Sequence, residues 1–224
     1  MARVKQPRPS LIGLLILAAS CFVGCVPRSD VFCERTYYCG DLPFVAASRA
    51  AIAVLPFQAA REVPDNFAQI SGERLTGVLS QELRSVIGPA DILSAWKEAA
   101  NRPWQLPAGK EDFRYLGDVL NAGVAVVGTA TRYVYGEMNP TEIAFKVAVV
   151  HLASGRKIAS FDSRGISRKA FAYSGLSKPP QQPESLLASI MMLSVGPSVI
   201  EVLERSEKDP RGELWETQNE DHER

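Results

Sequence analysis

The chain has 224 residues, of which 46% are hydrophobic and 22% are charged, as is typical of a soluble globular protein and not of a disordered or fibrous one. Its 25 basic and 25 acidic side chains cancel. The composition therefore lacks the basic excess of a nucleic-acid-binding domain, and we expect no nucleic-acid partner. The length predicts a single domain with flexible tails.

The first 24 residues have the order of charge and hydropathy that defines an export signal. Arg3, Lys5 and Arg8 form a positive start, residues 11–19 form an apolar stretch, and small residues follow. The apolar stretch is too short to span a bilayer, which takes about 20 residues. Residues 1–24 are therefore predicted to be a signal peptide that the mature protein loses.

Two cysteines at the end of the apolar stretch each follow a small residue, since Cys21 comes after Ser20 and Cys25 after Gly24. This arrangement resembles the lipobox of bacterial lipoproteins, in which the cysteine thiol accepts a diacylglycerol and then becomes the new N-terminus. Neither site has the leucine that the lipobox prefers three positions before the cysteine. Both sites therefore stay open, together with a plain, non-lipidated signal.

The number of cysteines left behind favours lipidation of Cys25, with Cys21 as the alternative. Cleavage before Cys25 leaves Cys33 and Cys39 as an even pair, which suits one disulfide in an oxidising periplasm. That disulfide would constrain the unfolded chain by roughly 2 kcal/mol. Zinc binding is the rival interpretation, but two thiols without a nearby histidine supply half of a ligand set. No metal and no cofactor are expected.

The position of the anchor predicts where the mature protein lies and how the chain is divided. The residue after either cysteine is apolar and is not the aspartate that resembles an inner-membrane retention signal. This favours a lipid anchor in the outer membrane, on its periplasmic face. Residues 25–48 are predicted to be an N-terminal tether, residues 49–204 a periplasmic domain, and residues 205–224 a charged, disordered tail.

The first half of the domain alternates strand and helix patterns. Residues 50–57 form a short apolar run that predicts a buried strand. Residues 69–87 place apolar side chains at helical intervals and predict an amphipathic helix. A very short strand at residues 91–93 and a helix at residues 94–100 are expected next, followed by a second amphipathic helix at residues 112–121.

The second half of the domain is rich in strand patterns. Residues 124–135, 141–152 and 157–167 are separated by short turns and predict antiparallel hairpins. A last helix at residues 184–203 is interrupted by a Gly-Pro pair, and its serine and glutamate residues argue against a membrane span. This order predicts an α/β fold in which helices cover a mixed sheet with an antiparallel meander, in a single domain with flexible tails.

Several stretches of this domain resemble a known group of proteins. They are "IAVLPF" in the first strand, "LSQELRS" in the first helix, and then "LGDVLNAGVAVVGTATRYVY" and "VAVVHLASGRKIAS". Behind a lipobox-like cysteine, they look like the bacterial envelope lipoproteins that share the CsgG, PelC, LpoB and TolB-N-terminal type of α/β domain, over residues 50–204. The resemblance implies that fold and a role in envelope assembly, such as curli secretion, exopolysaccharide export or activation of peptidoglycan synthases.

The chain departs from the pattern of this group in two places. "GRKIAS" stands where the group commonly has a tryptophan in "G-x-x-x-W". There is also no long alternating insertion like the one that forms the pore of the curli channel. The second departure argues against a transmembrane barrel.

The sequence offers little for catalysis. Its two histidines are His151, on a predicted strand, and His222, in the tail, and no G-x-S-x-G, H-E-x-x-H or Walker-type motif accompanies them. We therefore expect a protein that is not an enzyme. A hydrolase whose site the sequence does not reveal is kept as a third hypothesis.

The candidate interface residues are aromatic. Trp104, Tyr133 and Tyr135 are proposed because exposed aromatic side chains often anchor protein contacts, and core packing is the alternative. The leading hypothesis is a non-catalytic outer-membrane lipoprotein that acts with protein partners, or as a homo-oligomer, within an envelope export or assembly machine. The alternative is a regulatory lipoprotein that binds and activates a peptidoglycan synthase or another envelope enzyme.

Overall fold

A mixed seven-stranded sheet forms the centre of the described part of the protein. The structure, a computed structural model, describes residues 29–37, 51–101, 103–136, 140–168, 170–171, 177–178 and 180–208. The strands of the sheet are β1 (Ser29–Tyr37), β2 (Ala51–Val54), β3 (Gln58–Ala59), β4 (Val86–Ile87), β5 (Ala122–Val134), β6 (Thr141–His151) and β7 (Arg156–Ser167). A second, two-stranded sheet pairs β8 (Ala170–Phe171) with β9 (Ser177–Lys178).

The sheet has an antiparallel half and a parallel half. Its strand order is β1-β7-β6-β5-β2-β4, with β3 beside β5. Strands β1, β7, β6 and β5 pair antiparallel, whereas β2 runs parallel to both β5 and β4. Short turns join β5 to β6 and β6 to β7, while helices connect the parallel strands, as parallel pairing requires. The predicted α/β fold, a mixed sheet with an antiparallel meander, is confirmed.

Helices cover both faces of the sheet. Those in the described ranges are α1 (Asp65–Glu82), α2 (Pro89–Ala100), α3 (Lys110–Leu120), α4 (Pro183–Ile190) and α5 (Gly196–Lys208), with a π-helical turn at Met191–Val195 between the last two. Successive residues of β2 point to opposite faces. Ile52 and Val54 join the core under α1, α4 and α5, and Ala53 joins a smaller core under α2 and α3.

Strand β1 lies outside the expected domain boundaries. The sequence predicted a tether over residues 25–48 and a domain that begins at residue 49. Instead, β1 pairs along its whole length with β7, from Ser29 opposite Ser167 to Tyr37 opposite Ala159. It is an edge strand, and an edge strand pairs on one side only and tolerates charged residues. For this reason, β1 lacks the continuous apolar run that would reveal a strand in the sequence.

The helix boundaries around the first Gly-Pro pair also differ from the expected ones. Helix α1 ends at Glu82, Val86–Ile87 form strand β4 beside β2, and α2 begins at Pro89. The expected strand at residues 91–93 is part of α2. Proline fits the first position of a helix because the N–H that it lacks has no partner there. Pro89 therefore begins α2, which starts before the expected residue 94.

The last helix continues through the Gly-Pro pair that was expected to interrupt it. Helix α4 passes through the π-helical turn into α5, and the N–H of Gly196 donates to the carbonyl of Met191, five residues earlier. In a regular helix, a proline ring clashes with the carbonyl four residues earlier. The wider π turn accommodates Pro197. Residues Pro183–Arg205 are long and apolar enough to cross a bilayer, but 61% of their most apolar window is buried in the fold, as in a core helix.

Candidate functional site

The π-helical turn exposes two large apolar side chains. Met191 and Val195 are fully buried, whereas Met192 is 59% exposed and Leu193 is 70% exposed. Successive residues of a helix project about 100° apart, so a run of neighbouring apolar residues cannot face the core together. Turns of this kind are frequent at functional sites. The exposed pair is therefore the first candidate for a contact site.

Two contacts hold this turn in place. The hydroxyl of Ser194 shares a buried hydrogen bond of 2.8 Å with the hydroxyl of Ser163 in β7. On its other side, the turn meets α1 so closely that a Cβ at Gly196 would lie 2.6 Å from a methyl carbon of Val78. A residue larger than glycine does not fit there without displacing α1. The exposed pair thus stands on a well-packed part of the protein.

An open groove of about 450 Å³ runs between α1 and α5, beside the π-helical turn. We call it the helical groove. It is lined by Val78, Gln81 and Glu82 of α1, by Met192, and by Pro197, Ile200, Glu201 and Glu204 of α5. The aliphatic members of this set, Val78, Met192, Pro197 and Ile200, form one apolar patch, and Leu193 is the next residue after Met192. Patches of this kind mark contact sites more reliably than single exposed apolar residues do.

Acidic side chains border the helical groove. Glu82 and Glu204 are exposed, one on α1 and one on α5. Glu201 is half-buried and forms an ion pair of 2.7 Å with Arg205, one turn further along α5. Three carboxylates against one guanidinium make this border negative. An apolar centre with a polar border is the usual composition of a protein–protein contact.

Small and charged side chains cover the other face of the antiparallel strands. We call this the open sheet face, and it carries Thr129, Arg132, Ala144, Lys146, Ala148, Lys157, Ser160, Asp162 and Arg164. At one end, the largely buried Glu142 accepts hydrogen bonds through a single oxygen from Arg132, at 2.7 Å, and from Arg164, at 2.8 Å. These ion pairs connect three neighbouring strands. Asp30 of β1 lies on the same face, opposite Ile166 of β7, so the face carries both basic and acidic side chains.

Trp104, the first of the predicted interface residues, packs into the smaller core. It follows α2 and lies edge-on against the buried Trp96, with 5.4 Å between the ring centroids. Tyr115 of α3 meets the same Trp96 ring at 5.6 Å. Trp104 is partly buried among these residues. Trp104 therefore has the packing role that was the alternative to an interface role.

The two predicted interface tyrosines have different surroundings. Tyr133 packs edge-on against Phe67 of α1, with 4.7 Å between the ring centroids. Burial, followed by the nearby Glu184 and Tyr135, raises the pKa of the Tyr133 phenol. Tyr135 follows the end of β5 and is 47% exposed. Tyr133 and Trp104 lie on opposite faces of the sheet and do not form one contact surface, whereas Tyr135 stays a candidate interface residue.

The predicted cysteine sites lie mostly outside the described residues, which include neither Cys21, Cys25 nor Cys39. Cys33 lies in β1 opposite Ser163, and no cysteine pair occurs among the described residues. Because β1 stays extended to Tyr37, a Cys33–Cys39 disulfide would require the chain to reverse immediately afterwards, since the two Cα atoms must approach to about 4.4–6.8 Å. Lipidation and the disulfide stay predictions.

His151 ends β6 and takes part in a turn. Its Nδ1 lies 2.8 Å from the hydroxyl oxygen of Ser154, which also accepts a hydrogen bond of 3.3 Å from the N–H of Arg156. The contact closes the turn from β6 to β7. Partial burial lowers the pKa of His151. Within the described ranges, no group of three His, Cys, Asp or Glu side chains is placed to hold a metal ion.

We expect His151 to titrate below the usual value of about 6.5 for histidine, because its partly buried ring favours the neutral form. Protonation is then harder in the folded chain than in the unfolded chain, so stability falls as the pH drops below about 6.5. Proton NMR of the two histidines tests this, with His222 as the second signal. A His151 midpoint at or above 6.5 would contradict the prediction.

Sequence reasoning missed Met192 and Leu193 as candidate contact residues. The signal that points to them is the run "SIMML" within a helix pattern, because four large apolar residues in five positions exceed one helical face. Which of them turns outward depends on the π turn, and hydrophobic periodicity does not reveal a π turn.

No protein-family model matches this chain, and no curated protein gives a significant sequence match. Among solved structures, the chain is similar to a PelC dodecamer from Paraburkholderia phytofirmans, with 13% identity, a TM-score of 0.47, and coverage of 76% of this chain and 97% of that chain. Lipoprotein GNA1162 from Neisseria meningitidis has 20% identity and a TM-score of 0.43, over 53% of this chain and 81% of that chain.

The C-terminal domain of LpoB from Salmonella enterica is similar as well, with 15% identity, a TM-score of 0.40, and coverage of 54% of this chain and 84% of that chain. PelC and LpoB, two members of the group that the sequence resembles, are thus among the similar structures. At these identities and TM-scores, the similarity assigns no activity or partner to this chain.

Proposed function

We propose that this protein is a non-catalytic lipoprotein of the outer membrane whose periplasmic domain acts by protein contact within an envelope export or assembly machine. The observation that carries the proposal is the cysteine that follows a short apolar run after a basic start, at residues 3–25. A diacylglycerol with a further acyl chain anchors a protein stably, because a single chain binds a membrane only reversibly and additional chains make the attachment lasting.

The domain supports a contact role in two ways. The helical groove combines an apolar surface with an acidic border, and the open sheet face on the other side of the sheet carries charged side chains of both signs. Each is a surface of the kind that a protein partner or a second copy of the chain covers. The sequence resemblance to envelope assembly lipoproteins points the same way.

Mass spectrometry of the protein extracted from membranes tests the anchor. We expect a lipid-modified N-terminal Cys25 in the native protein and in a Cys21→Ser variant, and loss of both the modification and the membrane attachment in a Cys25→Ser variant. An unmodified, freely soluble mature chain would overturn the proposal. Modification of Cys21 would retain the lipoprotein and correct the cleavage site.

Light scattering of the extracted protein tests the contact role. A closed ring of defined subunit number supports a component of an export or assembly machine. A monomer that captures one envelope enzyme would instead favour the regulatory alternative.

A further inference from the structure

We propose that the helical groove is the docking site for a basic amphipathic helix of a partner protein. The inference rests on the contact role proposed above, because it names the chemistry of the partner, but it does not depend on lipidation. Its first support is Met192, which is 59% exposed and lines the groove together with Val78 and Ile200; the neighbouring Leu193 is 70% exposed. Both side chains belong to the π-helical turn, which the hydrogen bond between Ser194 and Ser163 ties to β7.

The shape of the groove suits a helix. It lies between two helices, α1 and α5, and an amphipathic helix binds such a groove with apolar side chains at positions i, i+3 or i+4, and i+7. The close crossing at Gly196 and the hydrogen bond between Ser194 and Ser163 set the walls in advance. Preformed walls reduce the entropy that is lost on binding.

The charge of the border selects a basic partner. Glu82 of α1 and Glu204 of α5 stand on opposite sides of the groove. Glu201 lies about one turn before Glu204 on α5 and is paired with Arg205. Lysine or arginine side chains that flank the apolar stripe of a bound helix would meet these carboxylates. Complementary charges of this kind raise the association rate and suppress wrong partners.

Other occupants fit the helical groove less well. Residues 209–224 of this chain contain six acidic and two basic side chains, so the acidic border repels them. An anionic lipid surface is repelled for the same reason. The open sheet face of a second copy carries charges of both signs and not a basic excess, and most of its uncharged side chains, such as Ala144, Ala148 and Ser160, are too short to fill an apolar groove.

A cross-linking and binding experiment on the full chain, as isolated from the membrane or the soluble fraction, tests the proposal. The probe is a fluorescent Leu/Lys amphipathic peptide of about five helical turns with a photoreactive group, and the matching Leu/Glu peptide is its control. We expect the Leu/Lys peptide to bind and to cross-link to α1, the π-helical turn and α5, and the Leu/Glu peptide not to bind.

Three variants identify the contacts. Met192→Ser with Leu193→Ser is expected to weaken binding about tenfold or more, and Glu82→Gln with Glu204→Gln by several-fold, with a smaller dependence on salt. Glu98→Gln with Glu111→Gln removes the same charge from exposed positions on α2 and α3 and is the matched control. All of these residues are exposed, so equal melting temperatures are expected and serve as a folding check.

Several outcomes would overturn the inference. These are equal affinity in all variants, cross-links confined to other elements, binding of the Leu/Glu peptide, attachment of the groove to phosphatidylglycerol vesicles, or a self-association that the Met192 and Leu193 substitutions abolish. None of them bears on the lipid at Cys25. Conversely, absence of that lipid would overturn the anchoring proposal and leave the peptide result unchanged.

Discussion

Replacement of Gly128 by alanine is expected to destabilise the protein by about 3 kcal/mol, the upper end of the range for overpacked cores. A Cβ at position 128 would lie 2.2 Å from Cζ of Phe57, inside van der Waals contact with the ring. The Phe57 ring is 6% exposed and packs edge-on against Phe145, with 6.1 Å between the centroids. The ring therefore cannot move away without displacing the centre of the core.

Gly77 provides the matched control for this substitution. It lies inside α1, and a Cβ there would meet nothing within 4 Å. Gly77→Ala is expected to stabilise the protein by about 0.5–1 kcal/mol, since alanine is the better helix former. Urea unfolding of both variants measures the two effects. Equal stability of Gly128→Ala and the parent protein would show that Phe57 does not occupy this position.

Replacement of Phe145 by alanine is expected to lower the free energy of unfolding by about 3–5 kcal/mol. Phe145 is 1% exposed, in the middle of β6. Its ring lies 6.1 Å from that of Phe57 and 6.2 Å from that of Phe67 in α1. The substitution leaves a cavity where the sheet meets α1. Phe57 and Phe67 cannot fill it, because each is fixed to a different part of the backbone.

Tyr135→Ala is the control for an aromatic residue outside the core. Tyr135 is 47% exposed, and its loss is expected to change stability by no more than about 0.5 kcal/mol. Denaturant unfolding of both variants, followed by circular dichroism, compares the two effects. A small effect at Phe145, or a large effect at Tyr135, would contradict this assignment of core and surface.

The antiparallel part of the fold was predictable from the sequence because each of its strands carries a local signal. Strands β5, β6 and β7 are long and separated by short turns, the first two are rich in branched residues, and the observed bounds of all three lie within a few residues of the predicted ones. The mixed sheet follows from this meander and from the strand at Ala51–Val54, which precedes the first helix. Local patterns determine these elements.

The elements that the sequence did not predict depend on long-range pairing. Strand β1 forms because its register matches β7, more than a hundred residues away, and no local pattern records that match. Strand β4 has two residues, too few for a periodicity to appear. The helix that begins at Pro89 was expected to start only at residue 94, because a Gly-Pro pair is also a common helix end.

The candidate site was less predictable than the fold. Trp104 and Tyr133 carried the expected chemistry, but they pack, partly buried, against different cores on the two sides of the sheet. Met192 and Leu193 continue an apolar run that starts at Ile190, so the hydrophobic pattern does not distinguish them from buried residues. Their exposure depends on the π turn. Contact residues of this kind are found by asking which apolar side chains the fold leaves uncovered.

The position of β1 limits how far the domain reaches from a membrane. With a lipid on Cys25, as proposed, only residues 26–28 separate the anchor from Ser29, the first residue of β1. Fully extended, the chain from Cys25 to Ser29 reaches at most about 14 Å, whereas the 24 residues of the expected tether would reach about 80 Å. With that anchor, the start of β1 stays within about 14 Å of the bilayer, so a partner that contacts this end of the domain must itself lie at the membrane surface.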